Sequence, residues 1–138
     1  HEIHLAQWFY SMPILSVKVN VAKLSDLILS AEDTADILID YGKVFCNMHL
    51  DMINRKYTRK CKLVGSEATI EWDYTSPMIL VTGGKTKFVQ FEKNDPYLDE
   101  MKSFIGCIEK DTEPYVSLPL AYQVLSTALD IRNQMSLK

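Results

Sequence analysis

Cysteine is scarce in this sequence, and what there is does not pair. Cys46, Cys61 and Cys107 are odd in number, show no C-x-x-C spacing and sit inside apolar patterns. They read as buried reduced thiols rather than as a disulfide framework or a metal set. Glycine and proline are also sparse, five residues each, which excludes collagen-like and low-complexity classes. No apolar run approaches the roughly 20 residues of a membrane helix, and nothing resembles a signal peptide, so the expected setting is the cytoplasm, away from any membrane. Neither sign of charge dominates: 15 Lys and Arg face 18 Asp and Glu, a net charge of -3. The basic residues are spread along the chain, leaving no footprint for nucleic acid or an anionic surface.

What is present is a chain of 138 residues, 47% apolar and 24% charged, long enough to bury its own core as one domain. Its organising stretch is Lys43 to Tyr74. There Val44, Cys46, Met48, Leu50 and Met52 alternate with Asn47, His49 and Asp51, the two-residue period of a half-buried strand. Cys61 and Leu63 alternate with Lys60 and Lys62, and after a Gly-Ser-Glu turn Ile70, Trp72 and Tyr74 alternate with Thr69, Glu71 and Asp73. One apolar and one polar face point to antiparallel sheet covered on a single side.

Upstream, Leu5, Trp8, Phe9 and Met12 stand at helical spacing and Pro13 stops the pattern. Leu15, Val17, Val19 and Val21 then alternate with polar residues in a strand within Ile14 to Leu24. Ser25 to Asp33 reads as a polar connection with one helical turn, and Thr34 to Tyr41 as a strand that turns at Gly42 into the Lys43 run. Downstream, Ser76-Pro77 breaks the chain before a strand at Met78 to Val81, and Gly83-Gly84 turns it into Thr86 to Phe91. The GGKT stretch is not a nucleotide loop, because the first glycine of G-x-x-x-x-G-K-T would fall on Ile79. Asp95-Pro96 opens a helix to about Glu109 with Tyr97, Met101, Phe104, Ile105 and Ile108 in one stripe. Ser117 opens the last helix, whose face is Val124, Leu125, Ala128, Ile131 and Met135. Strands in succession with helices at the ends predict an α+β fold: an open, mostly antiparallel sheet of about six strands, helices packed on one face, the other face available for oligomerisation.

Few residues carry chemistry by pattern alone. His1 and His4 stand three apart on the first helix. With His49 or Asp51 they could approach a metal, but no carboxylate spacing supports this and no metal site is expected. A histidine can also act as general acid or base near neutral pH. Arg55, Lys56, Tyr57, Arg59 and Lys60 form a basic and aromatic cluster able to hold a carboxylate or phosphate, or simply a solvated strand end.

Several motifs together resemble one family. His1-Glu2-Ile3-His4 with Trp8, Glu32-Asp33-Thr34-Ala35, His49-Leu50-Asp51, Arg55, Arg59, Val64-Gly65, Thr69-Ile70-Glu71-Trp72-Asp73, and Tyr97, Glu100, Met101 and Phe104 are similar, in order, to the C-terminal domain of the Gfo/Idh/MocA oxidoreductases. His4 stands where the family commonly has Asp, exchanging an acceptor for a group that can also donate. The resemblance implies a parent enzyme whose N-terminal Rossmann domain binds NAD or NADP and lies outside this chain. That parent transfers hydride to or from a sugar, sugar derivative or cyclitol. It further implies that His1 is the histidine of the family's D-x-x-x-H pair, a catalytic acid/base, and that His4, Arg55 and Tyr57 contact substrate.

On this reading residues 1–138 are a single C-terminal domain for substrate binding and oligomerisation. It carries no cofactor-binding residues, binds no cofactor alone and is inactive alone. Its partners are a sugar-like small molecule, its own Rossmann domain and a second copy through the open sheet face, forming a dimer; nucleic acid and membrane are excluded. A non-enzymatic interaction module remains the alternative.

Overall fold

A computed structural model of the chain describes residues 1–76, 78–83, 86–90 and 94–135. Pro77, Gly84, Phe91, the Met135 side chain and the end of the chain, all given parts in the expected pattern, lie outside the described residues. The fold is α+β, as expected, and forms two compact units, one of His1–Ile53 together with Glu113 onward and one of Asn54–Thr112. Seven strands are described, arranged as a sheet of three and a sheet of four where the sequence led us to expect about six in one. Alternation marks a strand and its faces, but it does not say which edges pair.

The first unit contains α1 (Glu2–Tyr10), β1 (Ser16–Ala22), β2 (Thr34–Asp40), β3 (Phe45–Asp51) and α3 (Leu118–Met135). Its sheet is antiparallel in the order β1-β2-β3, with Val19 opposite Ile37 and Ile37 opposite Met48. Val17, Val19, Ile37, Ile39, Cys46, Met48 and Leu50 face the core, joined by Ala6 and Ile131 from the helices. Ile39 is completely buried, a side chain whose removal from water is worth about 2 to 3 kcal/mol. The β2–β3 hairpin closes at Gly42, whose φ of 82° is the left-handed conformation glycine adopts without a Cβ penalty. Asp40 accepts the Gly42 amide at 2.6 Å and Tyr41 N donates to Val44 O at 2.9 Å.

Two local expectations are corrected here. Residues 25–33 form no helical turn: the Asp33 carboxylate accepts from Leu24 N (2.8 Å), Ser25 N (2.9 Å) and Ser25 Oγ (2.6 Å), so a side chain shapes the loop. On α1 the residues buried are Ala6 and Gln7, while Trp8 and Phe9 from the expected stripe are exposed. Small Ala6 permits close approach, and Trp8 instead donates its indole N–H to the Tyr115 hydroxyl.

The second unit contains β4 (Lys60–Val64), β5 (Thr69–Asp73), β6 (Met78–Thr82), β7 (Lys87–Gln90) and α2 (Pro96–Lys110), its strands antiparallel in chain order. Gly65 N donates to Ala68 O at 2.9 Å to close β4–β5. Helix α2 starts as expected: Asp95 Oδ1 accepts from Tyr97 N (3.0 Å) and Leu98 N (3.2 Å), with Pro96 at the first position. No residue of α2 is buried, so the apolar stripe read from its sequence faces outward.

Candidate functional site

His1 caps α1 through its backbone, its carbonyl accepting from Leu5 N at 2.9 Å, and its side chain is almost wholly exposed. One turn on, His4 is half-buried with its Nε2 buried and without a hydrogen-bond partner among the described residues. Gln7, another turn on, is 5% exposed, and neither atom of its amide has a partner among them. Residues 4, 7 and 10 share one side of the helix, and the Tyr10 ring meets that of Tyr41 at 5.2 Å between centroids. The Tyr41 hydroxyl is buried and likewise unpartnered. Burial pushes this phenol up to about 12, with Cys46 and Tyr10 adding to the effect. Three buried polar groups without partners in one small unit are unusual, since nearly all such groups are paired. Gln7 was not singled out from the sequence; its signal was the three-residue step from His4.

Arg55 and Tyr57 lie in the second unit, in the exposed segment between β3 and β4. Asn54 shapes that segment, accepting from Lys56 N at 3.2 Å and donating to Thr58 Oγ1 at 3.3 Å. The basic cluster read from the sequence is divided by its surroundings. Arg59 lies over the Tyr74 ring, 5.2 Å from its centroid, and Lys60 pairs with Asp73 at 3.3 Å. Thr75 donates to Asp73 from its hydroxyl at 2.6 Å and its amide at 2.9 Å, which together with Lys60 holds that carboxyl below its ordinary range. Arg55, Lys56 and Tyr57 remain at the surface. The four residues expected to act on substrate therefore belong to two units, His1 and His4 in one, Arg55 and Tyr57 in the other.

His49 has a different setting from the one its sequence neighbours suggested. Antiparallel register puts Asp36 directly opposite it, and Nδ1 lies 2.7 Å from Asp36 Oδ1 while Nε2 lies 3.4 Å from Asp51 Oδ2. The hydrogen bond to Asp36 raises the imidazole pKa above its ordinary value, Asp51 adding to the effect. Asp36 and His49 are thirteen residues apart, so only strand pairing joins them. Asp33 is the most strongly perturbed acid. It is 2% exposed, and four donors, Leu24 N, Ser25 Oγ, Ser25 N and Thr34 Oγ1, hold it far below the usual carboxylate range. The role is structural, since the donors are the start of the loop it closes and the first residue of β2. Among the described residues no three His, Cys, Asp or Glu come together to hold a metal, and Cys46, Cys61 and Cys107 are half-buried thiols.

Two clefts stand out among the described residues. One of about 300 Å³ in the first unit is lined by Glu32, Asp33, Thr34, Asp51, Ile131 and Arg132 among others. One of about 570 Å³ in the second lies along Lys60, Lys62, Glu71, Asp73, Leu80 and Phe88. His1, His4, Arg55 and Tyr57 line neither.

No protein-family model matches the sequence, and no curated protein does. Solved structures do match the fold. UDP-N-acetylglucosamine 3-dehydrogenase GnnA from Acidithiobacillus ferrooxidans superposes with a TM-score of 0.85 at 15% identity, over 96% of this chain and 43% of that one. Dehydrogenase MviM from Clostridium difficile gives 0.75 at 13% identity, over 96% and 45%. The chain thus spans less than half the length of the structures it matches. Its fold is the one it shares with these dehydrogenases, as the resemblance to Gfo/Idh/MocA oxidoreductases implied.

Proposed function

We propose that the chain is the substrate-binding and assembly domain of an NAD(P)-dependent oxidoreductase acting on a sugar, a sugar derivative or a cyclitol. The observation that carries the reading is the fold shared over 96% of the chain with a UDP-N-acetylglucosamine 3-dehydrogenase. The chain's five glycines form no G-x-G-x-x-G, so these residues do not fit a dinucleotide site, and a Rossmann domain elsewhere in the parent binds the cofactor. His1 is the acid/base: its exposed imidazole takes the proton of the reacting hydroxyl, or returns it in the reverse direction. The half-buried His4 and buried Gln7 amide, on the helix that His1 caps, have hydrogen-bonding capacity left for hydroxyl groups. Arg55 and Tyr57, exposed in their own unit, are read as further substrate contacts, the guanidinium and the phenol each able to donate to a hydroxyl or an acidic group.

In the same reading the protein is cytoplasmic, and the outer face of β1–β3, where Lys18, Asn20, Leu38, Asn47 and His49 are exposed, joins two copies. No described helix is long and apolar enough to cross a membrane.

The test uses the parent protein. It is titrated with NADH and NADPH and assayed against a panel of sugars, nucleotide sugars and cyclitols. His1→Ala is expected to lower kcat by about 10²- to 10⁴-fold with cofactor affinity unchanged. A parent that binds neither nucleotide overturns the assignment, and a parent whose His1→Ala variant keeps full kcat removes His1 from the chemistry.

A further inference from the structure

The cleft of about 300 Å³ in the first unit is apolar at its floor, and two alanines make room for it. Val21, Ala35 and Leu50 stand directly opposite one another across β1, β2 and β3, and Ala128 and Ile131 of α3 line the same space. Ala35 on the sheet and Ala128 on the helix end at Cβ, leaving a hollow where larger side chains would close the packing.

Four charged residues line the cleft: Glu32, Asp33, Asp51 and Arg132. Two of the carboxylates are already engaged. Asp33 accepts from its four donors, while Asp51 accepts from Ile53 N at 3.0 Å and lies 3.4 Å from His49 Nε2. Glu32 and Arg132 make no hydrogen bond or ion pair among the described residues, either with each other or with another group. Arg132 stands one turn beyond Ala128, on the same side of α3, and is exposed; Glu32, half-buried, precedes β2. The cleft therefore offers an unpaired cation and an unpaired carboxylate, separated from each other, beside an apolar hollow.

We infer that this cleft binds a free α-amino acid with an apolar side chain. The ligand carboxylate takes two parallel N–H bonds from the Arg132 guanidinium, its ammonium donates to Glu32, and its side chain fills the hollow between Ala35 and Ala128. Each feature selects. A simple acid leaves Glu32 unmatched, an amine leaves Arg132 unmatched, and a sugar has no apolar arm for the hollow. The volume is at the lower end of small-molecule sites, which suits a single amino acid and not a nucleotide. The inference does not depend on the oxidoreductase reading.

The experiment is isothermal titration calorimetry of the full-length protein with L-valine, L-leucine, L-methionine and L-phenylalanine. Two fragments of leucine accompany them: 4-methylpentanoic acid, which lacks the ammonium, and 3-methylbutylamine, which lacks the carboxylate. L-Leucine is expected to bind about tenfold or more tightly than either fragment, and Glu32→Gln and Arg132→Gln each to lower its affinity by about the same factor. Arg132→Gln weakens the acid and leaves the amine unchanged, and Glu32→Gln does the reverse. Ala128→Phe fills the hollow and abolishes binding, with far-UV circular dichroism as the fold control. Absence of binding by all four amino acids at millimolar concentration overturns the proposal. So does an affinity for L-leucine that neither charge variant changes, or a fragment that binds as tightly as L-leucine itself.

Discussion

Replacing Tyr41 by Phe is expected to stabilise the chain, against the usual direction for a change in the core. Tyr41 is 4% exposed, its ring packs on Tyr10, and its hydroxyl meets no hydrogen-bond partner among the described residues. A buried hydroxyl without a partner carries a desolvation cost of about 1 to 3 kcal/mol, and removing it with the ring left in place recovers part of that. The expected gain near pH 7 is about 1 kcal/mol, a rise in Tm of roughly 4 °C for a chain of this size. The substitution has a second signature at high pH. The folded phenol ionises at about 12, against 10.0 for an ordinary one. Between those values the unfolded chain releases its proton while the folded chain keeps it, so stability is intact below pH 10 and falls as pH rises towards 12. The full difference corresponds to ~2.7 kcal/mol, which solvent screening reduces to about 1 kcal/mol. The assay is urea unfolding of both proteins from neutral pH to about 11.5, followed by tryptophan fluorescence. The Phe variant should start more stable and lose less. A variant less stable at pH 7 by 1 kcal/mol or more would show that the hydroxyl makes a hydrogen bond, and parallel pH curves would show that it is not desolvated.

Ile39→Ala empties a fully buried site at the centre of the first unit and is expected to cost about 2 to 5 kcal/mol by chemical unfolding; a smaller loss would mean that the core around it collapses. Asp33→Ala should free residues 24–27 and speed hydrogen exchange at the Leu24 and Ser25 amides, with no change at Ile39. Because the Asp33 pKa is depressed in the fold, its contribution is present above the ordinary carboxylate value of 3.8 and is lost as pH falls towards the folded value. His49 behaves oppositely. Its pKa is raised, so its pairing with Asp36 stabilises below about 6.5 and fades as pH rises through the folded value; His49→Gln should therefore matter in acid and little in alkali, and equal effects at both would refute the charged pair.

The element sequence was legible in the residues because each element carries a local signal. Alternation marks β1, β3, β4 and β5, Asp95-Pro96 marks the start of α2, and Gly42 marks a turn that needs positive φ. The motifs that resemble an oxidoreductase domain led to the fold that the solved dehydrogenases share. The sequence by itself also placed His49 and Asp51 on the polar side of their strand.

Only tertiary structure decided the rest, because it depends on distance through space. Register brought Asp36 to His49 across thirteen residues of chain, and burial, not periodicity, turned Ala6 and Gln7 inward on α1 while leaving Trp8 outside. The stripe on α2 was readable as apolar, yet an apolar stripe says only that a helix has a side to cover. Whether sheet, helix or second copy covers it is set by what stands opposite, and a one-dimensional pattern holds no information about that.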